Sequence, residues 1–237
     1  MKKDIAVLMA AGLGKRMRPL TEKKPKPLVK VKGRAMIETV IDGLKKCGID
    51  EIYVVTGYLG DQFSYLESSY PGLKTVKNPD YETINNISSI KAVTSMLRGR
   101  NAFICEADLF VSDPSVFSLR PDRSCYFGKF VSGHSDDWVF DQDENGRITR
   151  VGTGGDSCYN MCGIAYFAEK EATVIADAID RQYGQPGYED MFWDDVVNSC
   201  LDRLDLTVCP IKNDQVIEID SIDELYAVDP DYEKENL

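Results

Sequence analysis

Near the start of the chain three cations fall within four positions, Lys15, Arg16 and Arg18, and a second run, Lys23, Lys24 and Lys26, follows at once. They come directly after Ala10-Ala11-Gly12-Leu13-Gly14, a stretch with almost no side-chain bulk. Small residues leave backbone N–H groups bare, and bare N–H groups flanked by Arg and Lys suit a polyphosphate. The chain as a whole carries a formal net charge of −11, with 39 acids against 28 bases. The cationic block is therefore a local device and not part of a basic face, which argues against a general nucleic-acid binder.

The carboxylates that suit a hard metal ion lie far from this block. Glu106-Ala107-Asp108 ends an apolar stretch, Asn101 to Cys105, that reads as a strand. Asp108 thus falls at the carboxyl edge of a sheet, where ligands of open α/β folds bind. Mg²⁺ takes one or two carboxylates, with phosphate and water oxygens completing its shell. Glu218-Ile219-Asp220 is the chosen partner, since alternation along a strand turns both acids to one side.

A third group is aromatic and acidic. The only two tryptophans are Trp138, after Asp136-Asp137, and Trp193, within Tyr188-Glu189-Asp190-Met191-Phe192-Trp193-Asp194-Asp195. Aromatic faces with adjacent carboxylates hold organic cations. The competing reading is a buried aromatic helix face with acids on its wet side.

The elements that must position these groups follow an alternating rhythm. Strands are expected at Asp4 to Met9, Glu51 to Thr56, Leu73 to Lys77 and Asn101 to Cys105, with a further extended stretch at Leu28 to Val31. Helices are expected at Ala35 to Cys47, Asp61 to Tyr70 and Ile87 to Leu97. Strand–helix alternation implies right-handed βαβ units and a mostly parallel, doubly wound α/β sheet.

From Arg123 the pattern changes to antiparallel β, with strands at Ser124 to Val131, Trp138 to Gln142, Arg147 to Val151 and Asn160 to Phe167, and a turn at Asp143-Glu144-Asn145-Gly146. Helices at Glu169 to Tyr183 and Met191 to Leu204, strands at Leu206 to Pro210 and Val216 to Ile219, and a last helix capped by Ser221 complete the chain. With no repeat and no linker, residues 1–237 read as one domain with a β-rich excursion at about 123–167. The acidic tail from Asp229 to Leu237 reads as solvated and partly disordered.

No apolar run reaches membrane-spanning length, Met1-Lys2-Lys3-Asp4 does not resemble a signal peptide, and a cytoplasmic protein is expected. Seven scattered cysteines without a CxxC are expected to be reduced, and the single histidine, His134, to sit in a surface loop.

Gly12-Leu13-Gly14 does not fit a dinucleotide fingerprint, because Met17 stands where a third small residue is needed and Thr56-Gly57 where the ribose acid belongs. A P-loop lacks its Gly-Lys-Ser/Thr. Instead, Ala10-Ala11-Gly12-Leu13-Gly14-Lys15-Arg16, Arg18-Pro19-Leu20-Thr21 and Pro25-Lys26-Pro27-Leu28 resemble the signature of nucleotidyltransferases of the sugar-1-phosphate type.

That resemblance implies a Rossmann-like nucleotidyltransferase fold and in-line attack of a substrate phosphate on the α-phosphorus of a nucleoside triphosphate, with Mg²⁺ on Asp108, Glu218 and Asp220 and pyrophosphate leaving. Arg16 would stabilise the pyrophosphate and Lys26 the α-phosphate, which agrees with phosphoryl transfer as positioning plus charge neutralisation. The nucleotide would lie against Leu8, Ala10, Ala11, Gly12, Gly14, Lys15, Arg16 and Glu106.

Further along, Tyr58, Gln62, Phe63 and Tyr65-Leu66, then Asn85-Asn86, Ser88-Ser89-Ile90, Trp193-Asp194 and Glu218-Ile219-Asp220-Ser221 resemble bacterial CTP:phosphocholine cytidylyltransferases. This implies CTP as nucleotide and a phosphorylated amino-alcohol, phosphocholine first, as acceptor. Asn85 or Asn86 would read the cytosine. Trp138, Tyr188 and Trp193 would cage the choline, with Asp190 or Asp194 balancing its charge. 2-Aminoethylphosphonate or phosphoethanolamine is the near alternative. A sugar 1-phosphate acceptor and a non-catalytic nucleotide-binding protein are more distant ones.

Overall fold

The computed structural model describes residues 4–119 and 123–232. The chain opens with β1 (Ile5–Ala10), passes through short 3₁₀ turns at Lys15–Met17, Leu20–Glu22 and Lys26–Leu28, and reaches a small hairpin of β2 (Lys30–Val31) and β3 (Arg34–Ala35). Lys32 and Gly33 turn that hairpin with φ of 50° and 81°, the positive pair a two-residue turn requires. Then follow α1 (Met36–Lys46), β4 (Glu51–Thr56), α2 (Tyr65–Ser69), β5 (Leu73–Lys77), α3 (Ile87–Lys91), α4 (Thr94–Leu97), β6 (Ala102–Glu106) and β7 (Leu109–Val111). The second half comprises β8 (Ser124–Gln142), β9 (Ile148–Phe167), α5 (Glu169–Gln182), α6 (Trp193–Asn198), β10 (Leu206–Pro210), β11 (Val216–Glu218) and α7 (Ile222–Val228).

Seven strands form the central sheet in the order β10-β8-β9-β6-β1-β4-β5. β1 lies between β6 and β4 and is parallel to both, β5 extends the parallel half, and β9 enters antiparallel to β6 and β8. This is the mostly parallel, doubly wound sheet that the alternation implies. Side chains alternate across β1: Ala6 and Leu8 pack with Ile37, Val40, Ile41 and Leu44 of α1, while Ile5 and Val7 pack with Ile90, Ile175 and Val196 on the other face. All are at or near zero exposure, so both faces of the sheet are covered and β1 reads as an unbroken apolar run for that reason.

The structure departs from the sequence expectations in five places. The helix expected over Asp61 to Tyr70 is a 3₁₀ turn, Gly60–Phe63, followed by the short α2, and that over Ile87 to Leu97 divides into α3 and α4. The helix expected from Met191 to Leu204 is α6 followed by a 3₁₀ turn at Leu201–Arg203. The separate strands expected between 124 and 167 are two long ones, β8 and β9, paired through repeated register shifts. Their exposed middle, rich in Gly, Ser and Asp, breaks the apolar alternation while backbone pairing carries on. Part of the tail expected to be loose is held: Asp229 accepts a bond from the Lys32 N–H at 2.6 Å, while residues 233–237 lie outside the described residues.

None of the seven cysteines is in a disulfide. His134 is exposed, between Asp156 at 2.8 Å and Asp136 at 3.2 Å, and these carboxylates hold its imidazole above the ordinary range. Among the described residues no helix is long and apolar enough to cross a membrane.

Candidate active site

The loop after β1 folds into a cup because Gly14 takes a left-handed conformation, φ 59° and ψ 33°. A Cβ there would come within 3.0 Å of the Lys26 Cβ and 3.1 Å of the Thr21 Cγ2, so glycine is required for both conformation and space. Buried Thr21 closes the cup by donating its hydroxyl to the Gly14 carbonyl at 2.7 Å. The resulting cleft, about 390 Å³, is lined by Met9, Ala10, Gly12, Leu13, Gly14, Lys15, Arg16, Lys26, Pro27, Asp108 and Asp220. Leu8 is wholly buried inside the sheet, and Ala11 gives its carbonyl to the Tyr58 N–H, so neither lines the cleft. Met9, Leu13 and Pro27 do, and the available signal was the place of Leu13 and Pro27 within the signature stretch and of Met9 directly before it.

The acids arrive by topology. β7 continues from Asp108 and pairs antiparallel with β11, setting Leu109 opposite Glu218 and Val111 opposite Val216. Residues more than a hundred positions apart are thereby brought to one sheet edge. Asp220 is then fixed by the start of α7, where Glu224 accepts the backbone N–H of Asp220 at 2.7 Å and of Ser221 at 2.9 Å. Ser221 accepts in return from the Glu224 N–H at 3.2 Å, a capping box as Ser221 suggested.

Lys26 sits at the centre of the cluster with 7% exposure. Its ammonium lies 2.5 Å from Asp108 Oδ2 and 2.5 Å from Asp220 Oδ1, and Arg16 reaches the same Asp220 oxygen at 2.9 Å. Burial opposes the charge on Lys26, but Asp108 and then Asp220 outweigh it and hold the ammonium above its ordinary range. Burial also works against ionisation of Asp220, and Lys26 and Arg16 overcome it, so that carboxyl is lowered. At Glu218 the pull of Lys26 is outweighed. Although its side chain opens onto solvent along the cleft, the crowded walls and the charges of Asp220 and Asp108 push it up to about 7. Glu106, at the cleft floor, is raised by the same crowding and by Asp108 and Glu218.

Among the described residues no three His, Cys, Asp or Glu side chains stand in a ligating arrangement. The expected trio of Asp108, Glu218 and Asp220 is instead a pair of carboxylates bridged by Lys26, with Glu218 beside them. Two carboxylates that share one ammonium are nevertheless close enough to share one cation, and their hard oxygens fit Mg²⁺.

A wider cleft of about 500 Å³ adjoins the first and shares Arg16 and Asp220 with it. Its walls include Glu106, Asp136, Asp137, Asp194, Glu218 and Glu224, with Trp138 and Phe192 as its aromatic side chains. Trp138 meets Phe192 edge-on at 5.4 Å. The other expected members of an aromatic cage are elsewhere. Trp193 is 3% exposed, stacked on Tyr126 at 5.9 Å and edge-on to Phe167 at 6.1 Å, as part of the core. Tyr188 packs on Tyr183 at 4.8 Å, and Asp190 is exposed and lines neither cleft. Trp138, Tyr188 and Trp193 therefore do not form one box, because α6 turns Trp193, Val196 and Val197 inward together.

Asp194 reaches the cleft from the same helix while 4% exposed. It accepts the Tyr126 hydroxyl at 2.9 Å, and burial pushes its carboxyl up to about 7. Asn86 borders the wider cleft, but its Oδ1 accepts the Trp193 N–H at 2.9 Å. Asn85 is tied to the neighbouring turn, donating to the Asp190 carbonyl at 3.0 Å. Gly163 is a wall residue that sequence reasoning missed. A Cβ on it would lie 2.8 Å from Glu106 Oε2, and a glycine inside a strand is the signal for such an approach.

Residues 6–122 match the MobA-like NTP transferase domain. The chain is 49% identical over 231 residues to a 2-aminoethylphosphonate cytidylyltransferase of Lancefieldella rimae, covering 98% of this chain and 94% of that one. It is 30% identical to a choline-phosphate cytidylyltransferase of Streptococcus pneumoniae, covering 98% and 99%. The solved structure of a CTP:phosphocholine cytidylyltransferase from Streptococcus pneumoniae superposes with a TM-score of 0.88 at 29% identity, covering 97% of this chain and 99% of that one. The likeness thus runs along nearly the whole length of these relatives, and the chain is an enzyme of the nucleotidyltransferase family, among its bacterial cytidylyltransferases.

Proposed function

We propose that the enzyme transfers the cytidylyl group of CTP to 2-aminoethylphosphonate, releasing pyrophosphate. The wall chemistry of the wider cleft carries this reading: seven acidic side chains against two aromatic ones. A primary ammonium has three N–H donors and is best held by carboxylate oxygens, whereas a quaternary ammonium has none and needs aromatic faces. With Trp193 and Tyr188 packed away, Trp138 and Phe192 are left to offer such faces. The relative at 49% identity supports the same acceptor. Phosphocholine, favoured by the sequence signature, is the second reading, and the Trp138–Phe192 pair is what favours it.

In this reading the bare N–H groups of the cup receive the triphosphate, with Arg16 and Lys15 toward the departing pyrophosphate and Lys26 toward the α-phosphate. Mg²⁺ held by Asp108 and Asp220, with Glu218 adjoining, would add positive charge where the phosphates crowd. Arg16 and Lys26 exchange their present partner, Asp220, for phosphate oxygens, so their charges are in place before the nucleotide arrives. Asp136, Asp137 and Asp194 then border the acceptor's ammonium. Asn86 or Asn85 is assigned to the cytosine, and Glu106 to the floor beneath the nucleotide.

Pyrophosphate release tests the assignment with CTP, Mg²⁺ and, in turn, 2-aminoethylphosphonate, phosphoethanolamine, phosphocholine and glucose 1-phosphate. The expected order of kcat/KM has 2-aminoethylphosphonate first. A higher value for phosphocholine would overturn it.

A further inference from the structure

The stretch from Gly57 to Leu66 is part of neither cleft wall, yet it touches the nucleotide loop at three points. The Tyr58 N–H donates to the Ala11 carbonyl at 3.1 Å. The Tyr58 hydroxyl donates to the Glu22 carbonyl at 3.0 Å, and the Gln62 side-chain amide to the Lys23 carbonyl at 2.9 Å. Gly57 permits the approach: a Cβ there would fall 2.9 Å from the Ala11 oxygen and 2.5 Å from the Tyr81 ring. The stretch is itself anchored, because Phe63 and Leu66 have zero exposure and share a core cluster with Ala10 and Leu28.

Glu22 and Lys23 are exposed and lie in the chain between two cations of the site, Arg16 and Lys26. Pro25, Lys26 and Pro27 beyond them are buried. Residues 22–24 are therefore an open strap whose carbonyls are tied to the body of the protein by Tyr58 and Gln62. We infer that Tyr58 and Gln62 are positioning residues: they fix this strap, and through it the spacing between Arg16 and Lys26 on which transfer depends. The inference rests on the cup being the nucleotide site, but not on which acceptor is used.

Tyr58→Phe, Gln62→Leu and the double variant test it, since Tyr58 is half-buried and Gln62 exposed and neither change opens the core. Each bond holds the same strap, so either alone keeps most of it in place and the double variant loses more than the product of the singles. Each single change is expected to lower kcat with CTP about threefold and the double about twentyfold or more, as the net worth of one or two hydrogen bonds allows. The KM for the acceptor is expected to hold within about twofold, since both bonds lie outside the wider cleft.

A substrate-free readout accompanies the kinetics: tryptic cleavage after Lys23 in the double variant. It is expected to speed up about fivefold or more, with cleavage after the exposed Lys170 and the urea midpoint unchanged. Equal acceleration at both sites, or an opened strap with kcat within twofold of the parent on both 2-aminoethylphosphonate and phosphocholine, would overturn the inference. A wrong acceptor leaves the tryptic result standing, which separates the two failures.

Discussion

Replacing Asp194 with Asn changes one buried proton equilibrium and almost no volume. The carboxyl is 4% exposed and raised from 3.8 to about 7, first by burial and then by the charge of Asp195. An acid whose pKa is raised by folding keeps its proton in the native state after the unfolded chain has lost it. Folding is therefore penalised progressively from about pH 4, and the penalty is complete above about pH 7. At about 1.4 kcal/mol per unit, the full penalty is about 4 kcal/mol, of which roughly a third has accrued near pH 5.

Asn carries no such penalty and keeps an oxygen for the Tyr126 hydroxyl, now bonded at 2.9 Å. Its amide group introduces an offset of about 1 kcal/mol that does not depend on pH. The measurement is urea unfolding of parent and variant from about pH 5 to about pH 8, with Asn gaining about 2–3 kcal/mol on Asp across that range. A difference that stays flat with pH within about 0.5 kcal/mol would refute the premise that folding raises the Asp194 carboxyl.

Two further changes probe the clefts. Lys26→Met removes the ammonium between Asp108 and Asp220, and kcat is expected to fall about 100-fold or more in a steady-state pyrophosphate assay, the scale of losing one preorganised charge at a transition state. Gly163→Ala combines φ 72° with a Cβ 2.8 Å from the Glu106 carboxylate, and thermal unfolding is expected to show a loss of about 1–3 kcal/mol.

The parallel half of the sheet was legible because its signal is local. β1, β4 and β6 are short, largely apolar runs between turn residues, and burial on both faces makes those runs continuous. The glycine cup was legible for a similar reason: Gly14, Thr21 and Lys26 meet within one short stretch whose spacing carries the geometry. The length of β8 and β9 was not. Between Val131 and Trp138 and again between Val151 and Cys158 the side chains are polar or absent, so hydrophobic period carries no information and backbone pairing maintains the strands.

The acceptor side was the hardest to read because its determinants are relative orientations. Trp138 and Trp193 have near-identical local neighbourhoods, each an indole flanked by two acids, and their fates are opposite. On α6 the turn that exposes Phe192 at 38% directs Trp193 inward onto Tyr126, a residue 67 positions earlier that carries no mark of that contact. On β8 the register shift beside Trp138 leaves its ring in the cleft with Asp136 and Asp137. Flanking acids raise the prior for a cation site at both places, but only the packing partner decides which indole can meet a ligand. Discrimination between a primary and a quaternary ammonium is then a count of aromatic faces that survive packing. That count falls when Trp193 is claimed by the core, and the carboxylates that remain are what a primary ammonium bonds.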